Sequence, residues 1–179
     1  NNTFAGTRIM SIEQMYDLCK SLGCYVYIEV KKATLTTSEL DTVFKIIRNY
    51  GMEDKTVWLT SKNAVLSAVA QYEPNSVFLY QTGTVAPIQD SRLDEIIAVT
   101  NEYNFGKNEI LIGIEANSTI TEQQIEKLSK AGIGTCAYLV STTADIDALF
   151  AKGNQYHNIK SAASETVIVG KYLFDKYMG

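Results

Sequence analysis

Glu29 and Lys31 stand inside an otherwise apolar run, "CYVYIEVKK", Cys24 to Lys32. Two residues apart on a strand, they project from the same face. One reading is an ion pair that offsets its own desolvation and adds little stability. The other is part of a site at the carboxyl end of a parallel sheet, where α/β folds place their chemistry. Geometry alone leaves both open. The odd positions Tyr25, Tyr27, Glu29 and Lys31 share one face, and the even positions Val26, Ile28 and Val30 the other. The aliphatic face suits packing under helices, which turns the mixed face toward the inside of the sheet.

Other side chains that could carry chemistry are few. Glu115, in "ILIGIEAN", shares strand parity with Leu111 and Gly113 at a carboxyl end. There it is either a second ligand or polar anchor in the mouth of the fold, or a solvated strand-end carboxylate. Tyr25, Tyr27, Tyr80 and Tyr138 fall on strands. They could line a pocket for a glycerol or sugar unit, although core packing with a bonded hydroxyl accounts for most such tyrosines. The single histidine, His157, precedes the last strand, on the amino-terminal side, and reads as a loop residue. Cys19, Cys24 and Cys136 form no C-x-x-C and read as buried free thiols.

The chain has 179 residues, enough for one domain with a real core. Its net charge is −4 and its Lys and Arg are scattered, which argues against a nucleic-acid or anionic-membrane surface as main partner. No apolar run approaches the ~20 residues of a membrane span. The first residue is Asn, so no localisation is read from the N-terminus.

Helical and strand patterns alternate along the chain. "SIEQMYDLCKSLG" opens with a capping box, Ser11 and Gln14, and stops at Gly23; "TSELDTVFKIIRNYG" repeats the device with Thr36, Glu39 and Gly51. Further helices are expected from about Asn63 to Tyr72, and over "SRLDEIIAVTNEY", "TEQQIEKLSKAG", "TADIDALFAKG" and "VGKYLFDKYM". Six strands, starting near residues 24, 56, 77, 109, 134 and 159, are each followed by a helix, with one more helix in front. Strict βα alternation means a parallel sheet with helical crossovers, doubly wound or closed as a barrel. The strands begin about 27 residues apart, against ~31 per unit in an eight-unit barrel, so the chain supplies about six units. No glycine-rich phosphate loop follows any strand.

The block "RIMSIEQMYDLCKSLGCYVYIEVK" resembles the central part of the glycerophosphodiester phosphodiesterase family, where a "TLEE" helix start precedes a hydrophobic strand ending in Glu-x-Lys. Ser11-Ile12-Glu13-Gln14 stands for the first and Glu29-Val30-Lys31 for the second. "AGIGTCAYLVST" is similar to the family's late strand, with Tyr138 at its aromatic position, Leu139 in place of Thr and Ser141 in place of Asn. The resemblance implies an α/β, (β/α)8 TIM-barrel-like fold with parallel strands, incomplete here, with about six βα units corresponding to strands 3–8. Residues 1–179 would then be a single partial barrel domain. It also implies hydrolysis of glycerophosphodiesters assisted by a divalent cation, Mg²⁺ or Ca²⁺. Glu29 would be one metal ligand, with Glu115 as candidate second, and Lys31 and Tyr138 would face the phosphate and its alcohol.

The family's His-Arg-Gly and Glu-x-Asp motifs are absent from these 179 residues. One carboxylate is a poor cage for ions that take six or more oxygens. The expectation is therefore a phosphodiesterase-like domain that is inactive or nearly so alone. The alternative is a non-catalytic binding or structural barrel in a larger surface or tail protein that contacts glycerophosphate polymers such as teichoic acids. A third possibility is an open, doubly wound, flavodoxin-like order. An incomplete barrel also leaves open edges. The edges would be covered by an N-terminal piece or partner chain, by self-association that completes the sheet, or by the lead-in residues.

Overall fold

The computed structural model describes residues 6, 8–83, 87–103, 108–113, 120–140, 142–156, 159–164, 171–172 and 175–176. Helices α1 (Ile12–Leu22), α2 (Thr37–Tyr50), α3 (Asn63–Tyr72), α4 (Asp90–Tyr103), α5 (Glu122–Lys130) and α6 (Thr143–Tyr156) alternate with strands β1 (Val26–Glu29), β2 (Thr56–Thr60), β3 (Val77–Gly83), β4 (Asn108–Gly113), β5 (Ile133–Val140) and β6 (Ile159–Ser164).

Local chemistry sets the helix boundaries. Ser11, Thr36 and Thr121 each close a reciprocal capping box with Gln14, Glu39 and Gln124, satisfying amide donors that the first turn leaves unpaired. Gly23 and Gly51 end α1 and α2 in the left-handed conformation, at φ 70° and 59°, which a side chain adopts only at a cost. Gly153 does not end its helix as the sequence pattern suggests, because α6 continues to Tyr156. Glycine weakens a helix by only about 1 kcal/mol, which tertiary packing overrides. α3 departs from the Ser/Thr/Asp rule for helix starts: its N-cap, Lys62, makes no side-chain capping bond.

All adjacent strands pair in parallel, in the spatial order β1-β2-β3-β4-β5-β6. Sequential order is singly wound, as in a barrel wall, and rules out the doubly wound alternative, in which the order reverses at a switch point. Among the described residues no pairing joins β6 back to β1, so the sheet is open and β1 is an edge.

The two faces of the sheet separate as the alternation in β1 foretold. Val26, Trp58, Phe78, Tyr80 and Ile133 turn toward the helices and join Tyr16, Phe44, Leu66, Leu93 and Leu128 in one core. Burying each of the larger apolar side chains contributes about 1.5–3 kcal/mol. On the opposite face, Val57 and Leu79 form a second small cluster with Leu59 and Val77. Register places Tyr27 beside Val57 and Val77, and Glu29 beside Leu59 and Leu79. Glu29 and the tyrosine therefore belong to the inner face, at the edge where that face opens.

Candidate functional site at the carboxyl rim

Glu29 is the last residue of β1, so its carboxylate stands at the carboxyl end of the sheet. Lys31 Nζ lies 3.5 Å from Glu29 Oε2, and the two side chains are 82% and 42% exposed respectively. Of the two readings left open by the sequence, a buried pair is excluded. The pair is solvated, and solvated pairs contribute about 0–1 kcal/mol. Its charges remain available to an incoming ligand.

The rim around the pair is braced, in three of its loops by a side chain from another unit. The ladder is prolonged beyond β1 by Val30 N–H donating to the Leu59 carbonyl at 2.9 Å. Thr60, 1% exposed, holds the Val30 carbonyl at 3.4 Å and accepts from Lys62 N–H at 3.0 Å. The Tyr80 hydroxyl lies 2.5 Å from Asn63 Oδ1 and 3.1 Å from the Ser61 carbonyl, and accepts from Arg92 Nη2 at 2.6 Å. Arg92 also donates to the Ser61 carbonyl at 3.2 Å, pairs with Glu95 at 2.6 Å, and stacks over the Tyr80 ring with its Cζ 4.9 Å from the centroid. Burial pushes the Tyr80 hydroxyl pKa upward while the Arg92 charge opposes it, so the phenol stays protonated and serves as a structural hydrogen-bonding group. Gln124 completes the pattern by donating to the Ile88 carbonyl at 3.0 Å and to Asp90 at 2.7 Å. Lys32 bonds Glu39 at the start of α2, closing the β1–α2 loop.

Sequence reasoning missed this bracing. Thr60, Arg92 and Gln124 are ordinary residues in ordinary patterns, and their partners are brought near only by neighbouring βα units. Tyr80, expected among pocket-lining or core tyrosines, is a core residue with a bonded hydroxyl. Tyr25 and Tyr27 are instead exposed, Tyr27 on the open inner face. Cys24 is an exposed free thiol and Cys19 is half-buried, which corrects the expectation of buried thiols for these two; the side chain of Cys136 lies outside the described residues.

The other expected site residues are placed only in part. Tyr138 lies in β5 with its backbone in register with Gly113 of β4. Its side chain, Glu115 and His157 lie outside the described residues. Among the described residues no three His, Cys, Asp or Glu groups converge as a metal cage. At the pair itself Glu29 offers one carboxylate, with an ammonium 3.5 Å from its Oε2, and among the described residues this set does not fit Mg²⁺ or Ca²⁺.

A cleft of about 180 Å³ opens at the opposite, amino end of β2, lined by Phe44, Arg48, Glu53, Trp58, Glu73 and Asn75. Arg48 is already committed there, to Glu73 at 3.1 Å and to the rings of Phe44 and Tyr72. The cleft lies away from the end of the sheet where parallel α/β folds act.

Three solved structures that this fold resembles are described as putative glycerophosphodiester (glycerophosphoryl diester) phosphodiesterases. One, from Silicibacter pomeroyi, superposes with TM-score 0.68 at 16% identity, over 92% of this chain and 56% of its own. Another, from Galdieria sulphuraria, gives 0.71 at 12% identity, over 94% and 65%. A third, from Agrobacterium tumefaciens, gives 0.67 at 13% identity, over 98% and 68%. The chain thus spans between a little over half and about two thirds of these neighbours. At such identities the likeness shows the fold. No protein-family model matches the sequence, and no curated protein does. Among the described residues no helix is long and apolar enough to cross a membrane.

Proposed function

We propose that this chain is the phosphodiesterase-like part of a barrel whose carboxyl rim receives the phosphate of a glycerophosphodiester, and that alone it does not turn that substrate over. The observation that supports the reading is the placement of Glu29 and Lys31. They form a solvated carboxylate–ammonium pair at the carboxyl end of the first strand of a sequentially ordered parallel sheet. That sheet has the fold of structures assigned as glycerophosphodiester phosphodiesterases.

Lys31 is the group that attracts the phosphate. Its ammonium is exposed, and a phosphate oxyanion offers it a stronger partner than one solvated carboxylate. Glu29 then either accepts from a glycerol hydroxyl or contributes one oxygen to a cation whose other ligands lie elsewhere. In phosphodiester hydrolysis such a cation supplies charge stabilisation and an activated water. Among the described residues no cluster of three such donors gathers around Glu29, so these residues alone do not hold that cation in place. General acid–base catalysis needs two positioned proton carriers. Among the described rim residues Lys31, Arg92 and the buried phenol Tyr80 do not supply such a pair.

Incubation of the 179-residue chain with glycerophosphocholine and Mg²⁺ or Ca²⁺, followed by assay of released glycerol 3-phosphate, tests this. No release above background is expected, and turnover at ordinary enzyme rates would overturn the claim of inactivity. A second reading, a binding module for glycerophosphate polymers, is favoured by the single-carboxylate donor set. It is distinguished by binding of glycerol 3-phosphate without metal and unchanged in Glu29→Ala.

A further inference from the structure

Cys19 and Cys24 stand at the two ends of one hydrogen bond. Cys24 N–H donates to the Cys19 carbonyl at 2.9 Å, and Gly23 N–H to the Lys20 carbonyl at 3.2 Å, with Gly23 at φ 70°. These two bonds are the Schellman closure of α1. In that closure the side chains at the two ends of the longer bond commonly pack on each other. Here both ends carry a thiol.

The end of α2 is the same device with ordinary residues. Gly51 N–H donates to Arg48 at 3.0 Å and Met52 N–H to Ile47 at 3.1 Å. Its two ends, Ile47 and Met52, are 1% and 2% exposed and both belong to the main core. The closure thus needs only apolar side chains at these positions, and cysteine at both ends of α1's is more than the helix stop requires. Standard bond lengths across a 2.9 Å hydrogen bond leave the Cys19 and Cys24 Cα atoms no more than about 6.8 Å apart, within reach of a disulfide. Cys24 is exposed and Cys19 half-buried against the core, so an oxidant meets Cys24 first. The Cys24 Sγ contact, 3.7 Å from the Leu22 carbonyl, is weak and readily exchanged. Lys55 Nζ donates to the Gly23 carbonyl at 3.1 Å and holds the turn between the cysteines from the β2 side.

We infer that Cys19 and Cys24 are a redox-modification site, a dithiol that closes to a reversible disulfide clipping the end of α1 to the entry of β1. The oxidant is a small-molecule disulfide of the glutathione class. The Cys24 thiolate attacks one of its sulfurs, breaking that S–S bond and releasing one thiol. The Cys19 thiolate then attacks the Cys24 sulfur, forms the Cys19–Cys24 bond and expels the second thiol. Two protein thiols lose two electrons, the small disulfide is reduced to two thiols, and the two protein protons pass to the released thiolates. An exposed bridge is of the labile kind, so excess reduced thiol runs the same steps backwards. Both thiols lie at the amino end of β1, away from the carboxyl rim, which makes the site independent of the phosphodiesterase reading.

Tryptic mapping of the native 179-residue chain tests this, because cleavage after Lys20 puts Cys19 and Cys24 on separate peptides, Ile9–Lys20 and Ser21–Lys31. The folded chain is equilibrated with glutathione disulfide, remaining thiols are blocked with N-ethylmaleimide, and the digest is read by mass spectrometry without reduction. The expected result is one species joining the two peptides, which disappears when the chain is returned to excess reduced glutathione before digestion. Cys136→Ala leaves that species unchanged, and Cys19→Ser stops at a mixed glutathione disulfide on Cys24. The bridge closes a short loop already closed in the folded chain, so oxidation raises the melting temperature by about 4–8 °C. Peptides that stay unlinked overturn the inference, as does a link to Cys136 or to a second chain. It is equally overturned by a link that excess reduced glutathione does not reopen, or by a melting temperature that falls on oxidation.

Discussion

Lys31 Nζ sits 3.5 Å from Glu29 Oε2 at the open end of an edge strand, and neither side chain is buried. A pair in that setting contributes little to folding. Glu29→Ala and Lys31→Ala are each expected to shift unfolding free energy by less than about 0.5–1 kcal/mol. Urea denaturation checks this, and a loss above ~2 kcal/mol in either variant would mean that the pair has a structural duty the geometry does not show.

The Tyr80–Arg92 brace behaves oppositely. Tyr80 is 3% exposed, and its hydroxyl joins Asn63, Ser61 and Arg92. Tyr80→Phe keeps the ring and removes the hydroxyl, stranding a partly buried network, and should cost about 1–3 kcal/mol. Equilibrium unfolding gives the number, and exchange of amides 61–63 reports whether the β2–α3 loop loosens first.

Glu39 makes stability depend on pH in the acid range. The Lys32 ammonium, then the Thr36 N–H and hydroxyl, hold its carboxyl at about 2, below its ordinary 4.5. A depressed folded pKa means stability is fully present above the unfolded value and is lost as pH falls toward the folded one. The contribution of Glu39 is therefore complete above about pH 4.5 and fades down to about pH 2. Unfolding midpoints measured across that window should fall less steeply in Glu39→Gln than in the native chain. Identical slopes would contradict the assignment.

Phe44 connects the helix layer to the sheet, with its ring 5.3 Å from Trp58 and 5.0 Å from Tyr72. Phe44→Ala opens a cavity in the main core and should cost about 3–5 kcal/mol. A circular-dichroism melt would show a large fall in transition temperature or a chain already unfolded at 25 °C.

Much of this was legible in the sequence because the signals are local. Ser11 with Gln14 and Thr36 with Glu39 announce helix starts through their own reciprocal bonds. The parity of Val26, Ile28 and Val30 against Tyr25, Tyr27 and Glu29 announces the two faces of β1. Strand order and edge are not local. That the order is sequential, which excludes the doubly wound alternative, depends on pairings such as Glu29 with Leu59 and Leu79 with Glu109. The rim bracing by Thr60, Arg92 and Gln124 was illegible for the same reason, since each partner lies in another loop or unit. Gly153 misled because glycine is a strong local stop signal, yet α6 runs through it to Tyr156. The exposure of Cys24 followed from β1 beginning only at Val26.

Calorimetric titration of glycerol 3-phosphate into the 179-residue chain, native and Lys31→Ala, tests the central claim most directly. The account predicts saturable binding to the native chain and at least a tenfold loss of affinity in Lys31→Ala, a difference of about 1.4 kcal/mol. Binding of equal strength in both, or no heat of binding to the native chain, would contradict it.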